Sequence, residues 1–278
     1  MRNKRNQHSR LNLAETLDFA SHVALAAGGK LRAEFYKRES RAITKGDFDF
    51  NTEVEIKIDA IITSMLKRRF TTMQILTEET APEDYSHMQS VDRLWIVDPL
   101  DGTTNFLRRR PHFAVSIALV EKGMPLAAVI YLPMQDELYT AQADSPYAFL
   151  NGQVIHVSGT STLRETWIES GISWDMTKRK VFAKEWFPPL SQNVRAFTMS
   201  GSAVFDLAAV AKGEVDGFVF CGIKPWDQAA AGLLIQKAGG KITTSYGKKW
   251  NAFAKDIVAS NGLIHGDLVN LTLSNKFF

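Results

Sequence analysis

Apolar residues recur at three- and four-residue spacing from Leu13 through Leu17, Ala20, Ala24, Ala27 and Leu31 to Phe35, which predicts a helix with one buried stripe. Asn12 followed by Glu15 supplies a capping pair at its start. A second helix is predicted from about Thr52 to Phe70, with Ile58, Ile61, Ile62, Met65 and Leu66 on its apolar face. The period then shortens. Gln74-Ile75-Leu76 and Leu94-Trp95-Ile96-Val97 are short apolar runs that each end at acids. Residues 113–120 and 126–132 are longer strand-like runs joined by a turn over 121–125. Strand character continues at 138–140 and 148–150, where Asn151-Gly152 is a hairpin signal. Helices followed by a block of antiparallel-looking strands predict an α+β layered arrangement.

Beyond Val157 the pattern is mixed. Helices are predicted over 202–211 and 226–238, the second ended by Gly239-Gly240, and strands over 216–221 and 257–259. Residues 173–195, interrupted by Pro188-Pro189, carry the least regular pattern. These shifts divide the chain into a basic tail, 1–11, an N-terminal half, 12–156, and a C-terminal half, 157–278.

Length and charge narrow the classes. A chain of 278 residues buries a large core, as one big domain or as two fused halves. The formal charge of +3 is too small to argue for nucleic acid, and much of the excess sits in Arg2, Lys4, Arg5 and Arg10 of the tail. The single cysteine, Cys221, excludes an intrachain disulfide and fits a reducing compartment. No apolar h-region follows the basic start and no run of about 18 apolar residues occurs, so neither a signal peptide nor a membrane span is predicted, and the cytoplasm is the expected location.

The candidate chemistry is concentrated in Trp95-Ile96-Val97-Asp98-Pro99-Leu100-Asp101-Gly102-Thr103-Thr104-Asn105-Phe106. A buried strand delivers Asp98 at its end, and Pro99 turns the chain so that Asp101 stands close by. Gly102, Thr103 and Thr104 suit a helix start, where free N–H groups can hold a phosphate. Two acids in a turn are, taken alone, more often structural than functional. The strand before them and the Gly-Thr-Thr opening after them join hard oxygen ligands to an anion cradle, the combination that Mg²⁺ and a phosphate require.

This string resembles the signature of the inositol monophosphatase family, which comprises metal-dependent, lithium-sensitive phosphatases. Glu78-Glu79 after a strand resembles the family's paired glutamates, and Lys224-Pro225-Trp226-Asp227-Gln228-Ala229-Ala230-Ala231-Gly232 resembles its second signature. Lys45 and Asp49 resemble an upstream lysine and aspartate, and the likeness extends over roughly residues 12–265. The resemblance implies a five-layer αβαβα sandwich of two α/β halves, a homodimer, a small phosphorylated substrate and two or three Mg²⁺ ions. It implies that Glu78, Asp98, Asp101 and the carbonyl of Leu100 hold one ion, that Asp98, Asp101 and Asp227 hold a second, and that Glu79 serves a weaker third through water. Thr103 would hydrogen-bond the attacking water together with Glu78, and the Gly102 and Thr103 amides would take the phosphate. Asp101 would act in the catalytic step, and Asp101 and Asp227 would also face the substrate.

Three positions depart from the family pattern. Glu55 stands where an aspartate is expected, either reaching the same water or serving only as the partner of a Thr52 cap. Thr77 replaces a glycine before the paired glutamates. Phe220 falls where inositol-binding members carry a glutamate, and a phenyl ring cannot satisfy a polyol hydroxyl. Inositol phosphate is therefore in question as the main substrate, and histidinol phosphate, fructose bisphosphate, another sugar phosphate or a nucleotide 3′-phosphate stay open, the last disfavoured because Thr103-Thr104-Asn105-Phe106 resembles the monophosphatase wording. Some bacterial relatives act as partners of the transcription machinery. The basic tail and Arg108-Arg109-Arg110 suit such a role, although three arginines beside an anion site more simply concentrate phosphate.

Overall fold

The computed structural model describes residues 11–37, 42–44 and 50–273; residues 1–10 of the basic tail, Lys45 and Asp49 lie outside the described residues. The predicted first helix is α1 (Leu13–Lys37). The Asn12 side chain accepts from the amides of Ala14 and Glu15 and donates to the Glu15 carboxylate, as its spacing foretold. A short antiparallel ribbon of β1 (Ala42–Thr44) and β2 (Phe50–Thr52) leads into α2 (Glu53–Arg69).

Seven strands then form one sheet in chain order: β3 (Gln74–Thr77), β4 (Leu94–Asp101), β5 (Ala114–Glu121), β6 (Met124–Leu132), β7 (Glu137–Gln142), β8 (Ala148–Leu150) and β9 (Gln153–Ile155). All neighbours pair antiparallel except β3 and β4, which run parallel. The predicted five-residue turn after β5 is tighter than expected. Glu121 already pairs with Met124, leaving Lys122 at φ 48° and Gly123 at φ 79° to close the hairpin. Asn151-Gly152 closes β8 onto β9 with the same handedness, which matches strand twist.

The second sheet has the order β11–β10–β12–β14–β13, from β10 (Trp167–Ser170), β11 (Ala196–Thr198), β12 (Gly217–Cys221), β13 (Lys241–Thr244) and β14 (Asp256–Ser260). The stretch expected to be irregular is instead helical, as α4 (Met176–Val181), a π-helical turn at Phe182–Trp186 and α5 (Phe187–Asn193). Pro188-Pro189 masked it, but both prolines lie in the first turn of α5, directly behind the π-helical turn.

Three apolar clusters stack the layers. One packs α1 and α2 through Leu31, Ile58 and Ile62 onto Trp95, Ile117 and Val129 of the first sheet. The second joins the other face of that sheet, through Ile96, Ala118 and Ile130, to α6 (Ala203–Ala211) and α7 (Pro225–Lys237) and on to Phe218 and Ile257 of the second sheet. The third covers the far face of the second sheet, through Val219 and Val258, with Phe182, Trp186, Leu190 and α8 (His265–Leu273). The result is an α+β sandwich in five layers, αβαβα, and α6 and α7 in its centre carry the segments that meet β4.

Candidate active site

β4 loses its regular pairing with β5 between Asp98 and Asp101, where Pro99 breaks the ladder. The chain turns there, Asp98 Oδ1 accepts the Leu100 amide at 3.0 Å, and pairing resumes at Asp101 opposite Ala114. Gly102 follows at φ 93°, and a Cβ there would lie 2.8 Å from the His112 carbonyl oxygen, so only glycine fits. The helix start expected at this point is α3 (Thr103–Leu107). Asp227 comes from the first turn of α7, where it accepts the Lys224 amide at 2.9 Å and is therefore a cap as well as a site residue.

These folds bring Asp98, Asp101 and Asp227 together, with one carboxylate oxygen from each within 4.8 Å of the others. Glu78 follows β3, and its amide donates to the Val97 carbonyl at 3.2 Å, which anchors it beside Asp98. Glu79 is partly buried in the same turn. Thr77 is fully buried there, and its hydroxyl accepts the Thr80 amide at 3.1 Å, so it organises the turn by hydrogen bonding where a glycine would do so by backbone freedom. The Leu100 carbonyl accepts from the Thr103 hydroxyl at 3.2 Å.

Glu55 is the partner of the Thr52 cap, and its side chain also reaches a second group. Its Oε2 accepts the Thr52 amide, completing the capping box of α2, while its Oε1 accepts the Thr103 hydroxyl at 3.1 Å. The extra methylene thus reaches Thr103 from a buried position. The Thr103 hydroxyl thus has two acceptors in reach, this carboxylate and the Leu100 carbonyl. Asp101 is held from the other side of the site: its Oδ2 accepts the Ser202 hydroxyl at 2.5 Å and the Val204 amide at 2.7 Å. Sequence reasoning missed Ser202. Ser200-Gly201-Ser202 before an apolar helix reads as an ordinary N-cap, which Ser202 also is, since it accepts the Phe205 amide. Tyr85 was missed as well. Its ring packs 5.6 Å from that of Trp226, and the Asp227 charge is felt at its hydroxyl, adding to the upward shift that burial causes.

Electrostatics show why this cluster calls for a cation. Burial first, and then the charges of Glu78, Asp101, Asp227 and Glu55, push Asp98 well above the usual carboxylate range. Burial and the charges of Asp101 and Glu78 do the same to Asp227 against a smaller opposing effect of Lys224. Asp101 is pushed up to about 6 by loss of hydration, partly offset by its bonds from Ser202 and Val204. Asp98 Oδ2 is buried and accepts no hydrogen bond. Carboxylates this close, with one oxygen left bare, fit divalent cations that prefer oxygen ligands.

Two other expectations change. Arg109 does not point toward phosphate: its guanidinium donates to the Phe35 carbonyl at the end of α1 and lies 5.6 Å over the Phe35 ring. Phe220 is only 9% exposed and packs in the central core, 6.0 Å from the Phe218 ring. A Cβ on Gly171 would meet Phe220 Cε2 at 2.2 Å, so the two residues interlock. Among the described residues no helix is long and apolar enough to cross a membrane.

The sequence matches the Inositol monophosphatase family over residues 12–275. It is 33% identical over 257 residues to the fructose-1,6-bisphosphatase/inositol-1-monophosphatase of Thermotoga maritima, covering 92% of this chain and 95% of that one. It is 36% identical over 249 residues to the Nus factor SuhB of Escherichia coli, covering 88% and 91%. The crystal structure of the extragenic suppressor protein suhB from Bartonella henselae superposes with a TM-score of 0.85 at 32% identity, covering 95% of this chain and all of that one (100%).

Proposed function

The chain belongs to the inositol monophosphatase family, and from that premise we propose that this metal-dependent phosphatase hydrolyses a small sugar or polyol phosphate monoester with Mg²⁺ held by Asp98, Asp101, Asp227 and Glu78. The observation that carries the assignment of the site is the convergence of three carboxylates, one with a bare buried oxygen, beside the Gly102–Thr103 helix start. The Leu100 carbonyl would complete the ligand set, and Glu79 would hold a further ion through water. When bound, the ions polarise a water for attack on phosphorus and offset the charge that develops on the leaving oxygen.

The protein's own part is orientation and proton placement. Because the Thr103 hydroxyl directs its proton to Glu55 or the Leu100 carbonyl, its oxygen keeps a lone pair to accept a hydrogen bond from the attacking water. Ser202 and the Val204 amide fix one oxygen of Asp101 and leave the other for the site. The Gly102 and Thr103 amides would take a phosphate oxygen. Asp227 and, beside it, Tyr85 border the side from which the alcohol departs. A homodimer, sensitivity to lithium and a cytoplasmic location belong to this proposal on the family resemblance.

The test is phosphate release from inositol, histidinol, fructose and nucleotide phosphates with and without Mg²⁺. Release that depends on Mg²⁺ and favours inositol or fructose phosphate is expected; a preference for histidinol or nucleotide phosphate would overturn the substrate class, and no release from any substrate with any divalent ion would remove the proposal. In that event the likeness to relatives called Nus factor SuhB favours the second reading, a transcription-associated partner, which binding to RNA polymerase or RNA would support.

Phe220 tests the substrate class. Its packing on Gly171 and Phe218 leads to the expectation that Phe220→Glu buries an unpaired charge, lowers stability by about 3 kcal/mol, and leaves the ratio of rates on inositol phosphate and an apolar monoester unchanged. An unaltered melting temperature with a ratio raised about two- to tenfold would instead put Phe220 on the substrate wall.

A further inference from the structure

Away from the three clustered aspartates, α6 faces β10 with a second pair of acids. Asp206, in the first turn of α6, is 1% exposed; neither of its oxygens has a donor in good hydrogen-bond geometry, although the Ser200 hydroxyl and amide lie close enough to act on it. Glu169, on β10, is 9% exposed. Its Oε1 accepts the Thr198 hydroxyl at 3.1 Å, Thr198 in turn accepts the Trp167 indole N–H at 2.6 Å, and Glu169 Oε2 is left bare. The register pairs Glu169 with Phe218, whose side chain enters the central core, so Glu169 is aimed at α6 and the two carboxyl groups meet there.

Two adjoining buried acids, one with a bare oxygen and the other without a well-aligned donor, have one economical resolution. We propose that Glu169 and Asp206 share a single proton, forming an acid–carboxylate hydrogen bond that ties β10 to the N-terminal turn of α6 and so positions Ser202 and the Val204 amide on Asp101. Two ionised carboxylates in such a place would repel each other without water to screen them, whereas one proton satisfies an oxygen on each. Burial, followed by the Glu169 charge, pushes Asp206 up to about 9, while Ser200 partly offsets the rise. Glu169 is raised too, first by burial. Glu214, after α6, acts on Glu169, and Asp101 acts on Asp206; both are acids, and both favour keeping the proton. The remaining neighbours named here, Thr198, Ser200, Trp167 and Phe218, carry no charge.

The chain of contact to the site is short. Ser202 caps the helix on which Asp206 sits, and the Asp206 amide donates to the Ser202 carbonyl at 3.1 Å. The same Ser202 hydroxyl donates to Asp101. Glu169 and Asp206 are thus positioning residues, and their effect on metal binding rests on the proposed role of Asp101, whereas the shared proton stands without it.

Infrared spectra of the Mg²⁺-loaded protein at pH 8 test the proton directly. The wild type is expected to show the carbonyl stretch of a protonated carboxylic acid, absent from Asp206→Asn, whose amide donates to Glu169 permanently. Because the folded protein keeps this proton to higher pH than the unfolded chain, the wild type should lose stability relative to Asp206→Asn as pH rises from 5 to 9. Calorimetry with Mg²⁺ then reads positioning: Asp206→Leu should weaken binding about tenfold and Asp206→Asn less than about threefold. If Asp206→Leu does not fold, Glu169→Leu and Glu169→Gln make the same comparison. No acid band, or a stability difference independent of pH, overturns the shared proton. Wild-type Mg²⁺ affinity in the leucine variant overturns the positioning role. Failure of the phosphatase reading would appear separately, as absent phosphate release from a wild type that keeps the band.

Discussion

Asp98→Asn is expected to lower kcat/KM by about 10²-fold or more while raising the melting temperature of the metal-free protein. Asp98 is the member of the cluster with no exposed surface, and its Oδ2 has no donor of its own. An asparagine keeps the volume, and its carbonyl oxygen can still accept the Leu100 amide that Oδ1 now accepts. What it removes is the charge that a divalent ion needs and an oxygen that two ions would share. A loss of about 3 kcal/mol in transition-state stabilisation corresponds to roughly two powers of ten. The stability change has the opposite sign, because the same charge is opposed in the fold by burial and then by Glu78, Asp101 and Asp227. Mg²⁺-dependent phosphate release and chelated melting curves measure the two halves. A folded variant that retains more than about a tenth of the wild-type rate would show that Asp98 does not hold the metal.

Much of this site could be read locally in the sequence. The strand–Asp-Pro-Leu-Asp-Gly-Thr-Thr string predicted a strand end, a sharp turn and a helix start, and β4, the broken ladder and α3 are those features. Local wording works there because proline and a left-handed glycine leave the backbone few alternatives. The arrival of Asp227 beside Asp101 was legible only through the family resemblance, since nothing in residues 224–232 indicates which strand they meet. Ser202 and Val204 were invisible for the same reason: their contact with Asp101 spans the central helix layer and has no periodic signature. Glu55 shows the limit of judging a residue by type. One methylene more than the expected aspartate left open a reach to the attacking water or a cap alone, and the structure uses that length to cap α2 and hold Thr103 at once. In the fold, the miss over 173–195 came from weighing Pro188-Pro189 as breakers without asking where in a helix they fall.

Metal-free protein is expected to lose stability as pH rises from about 4 to 8, and Mg²⁺ is expected to reverse that slope. Asp101 in the fold is raised to about 6, and Asp98 and Asp227 are raised as well, whereas an aspartate in an unfolded chain titrates near 3.9. Between the unfolded and folded values the native state binds more protons, so its stability falls with increasing pH. The contribution is whole below about pH 4 and is lost as pH climbs through 6 and beyond. Mg²⁺ inverts the relation because it binds only the deprotonated ligands, so its affinity, and with it the stabilisation it gives, grows over the same range. At a free concentration a hundred times the Kd this stabilisation is about 2.7 kcal/mol. The gap between the melting temperatures with Mg²⁺ and with chelator should therefore be small at pH 5 and widen steadily to pH 8. In Asp98→Asn the gap should stay narrow throughout, because the metal has lost a ligand and the cluster has lost a charge. Melting curves that stay parallel from pH 5 to 8 with and without Mg²⁺ would mean that these carboxylates neither repel one another in the fold nor hold the ion.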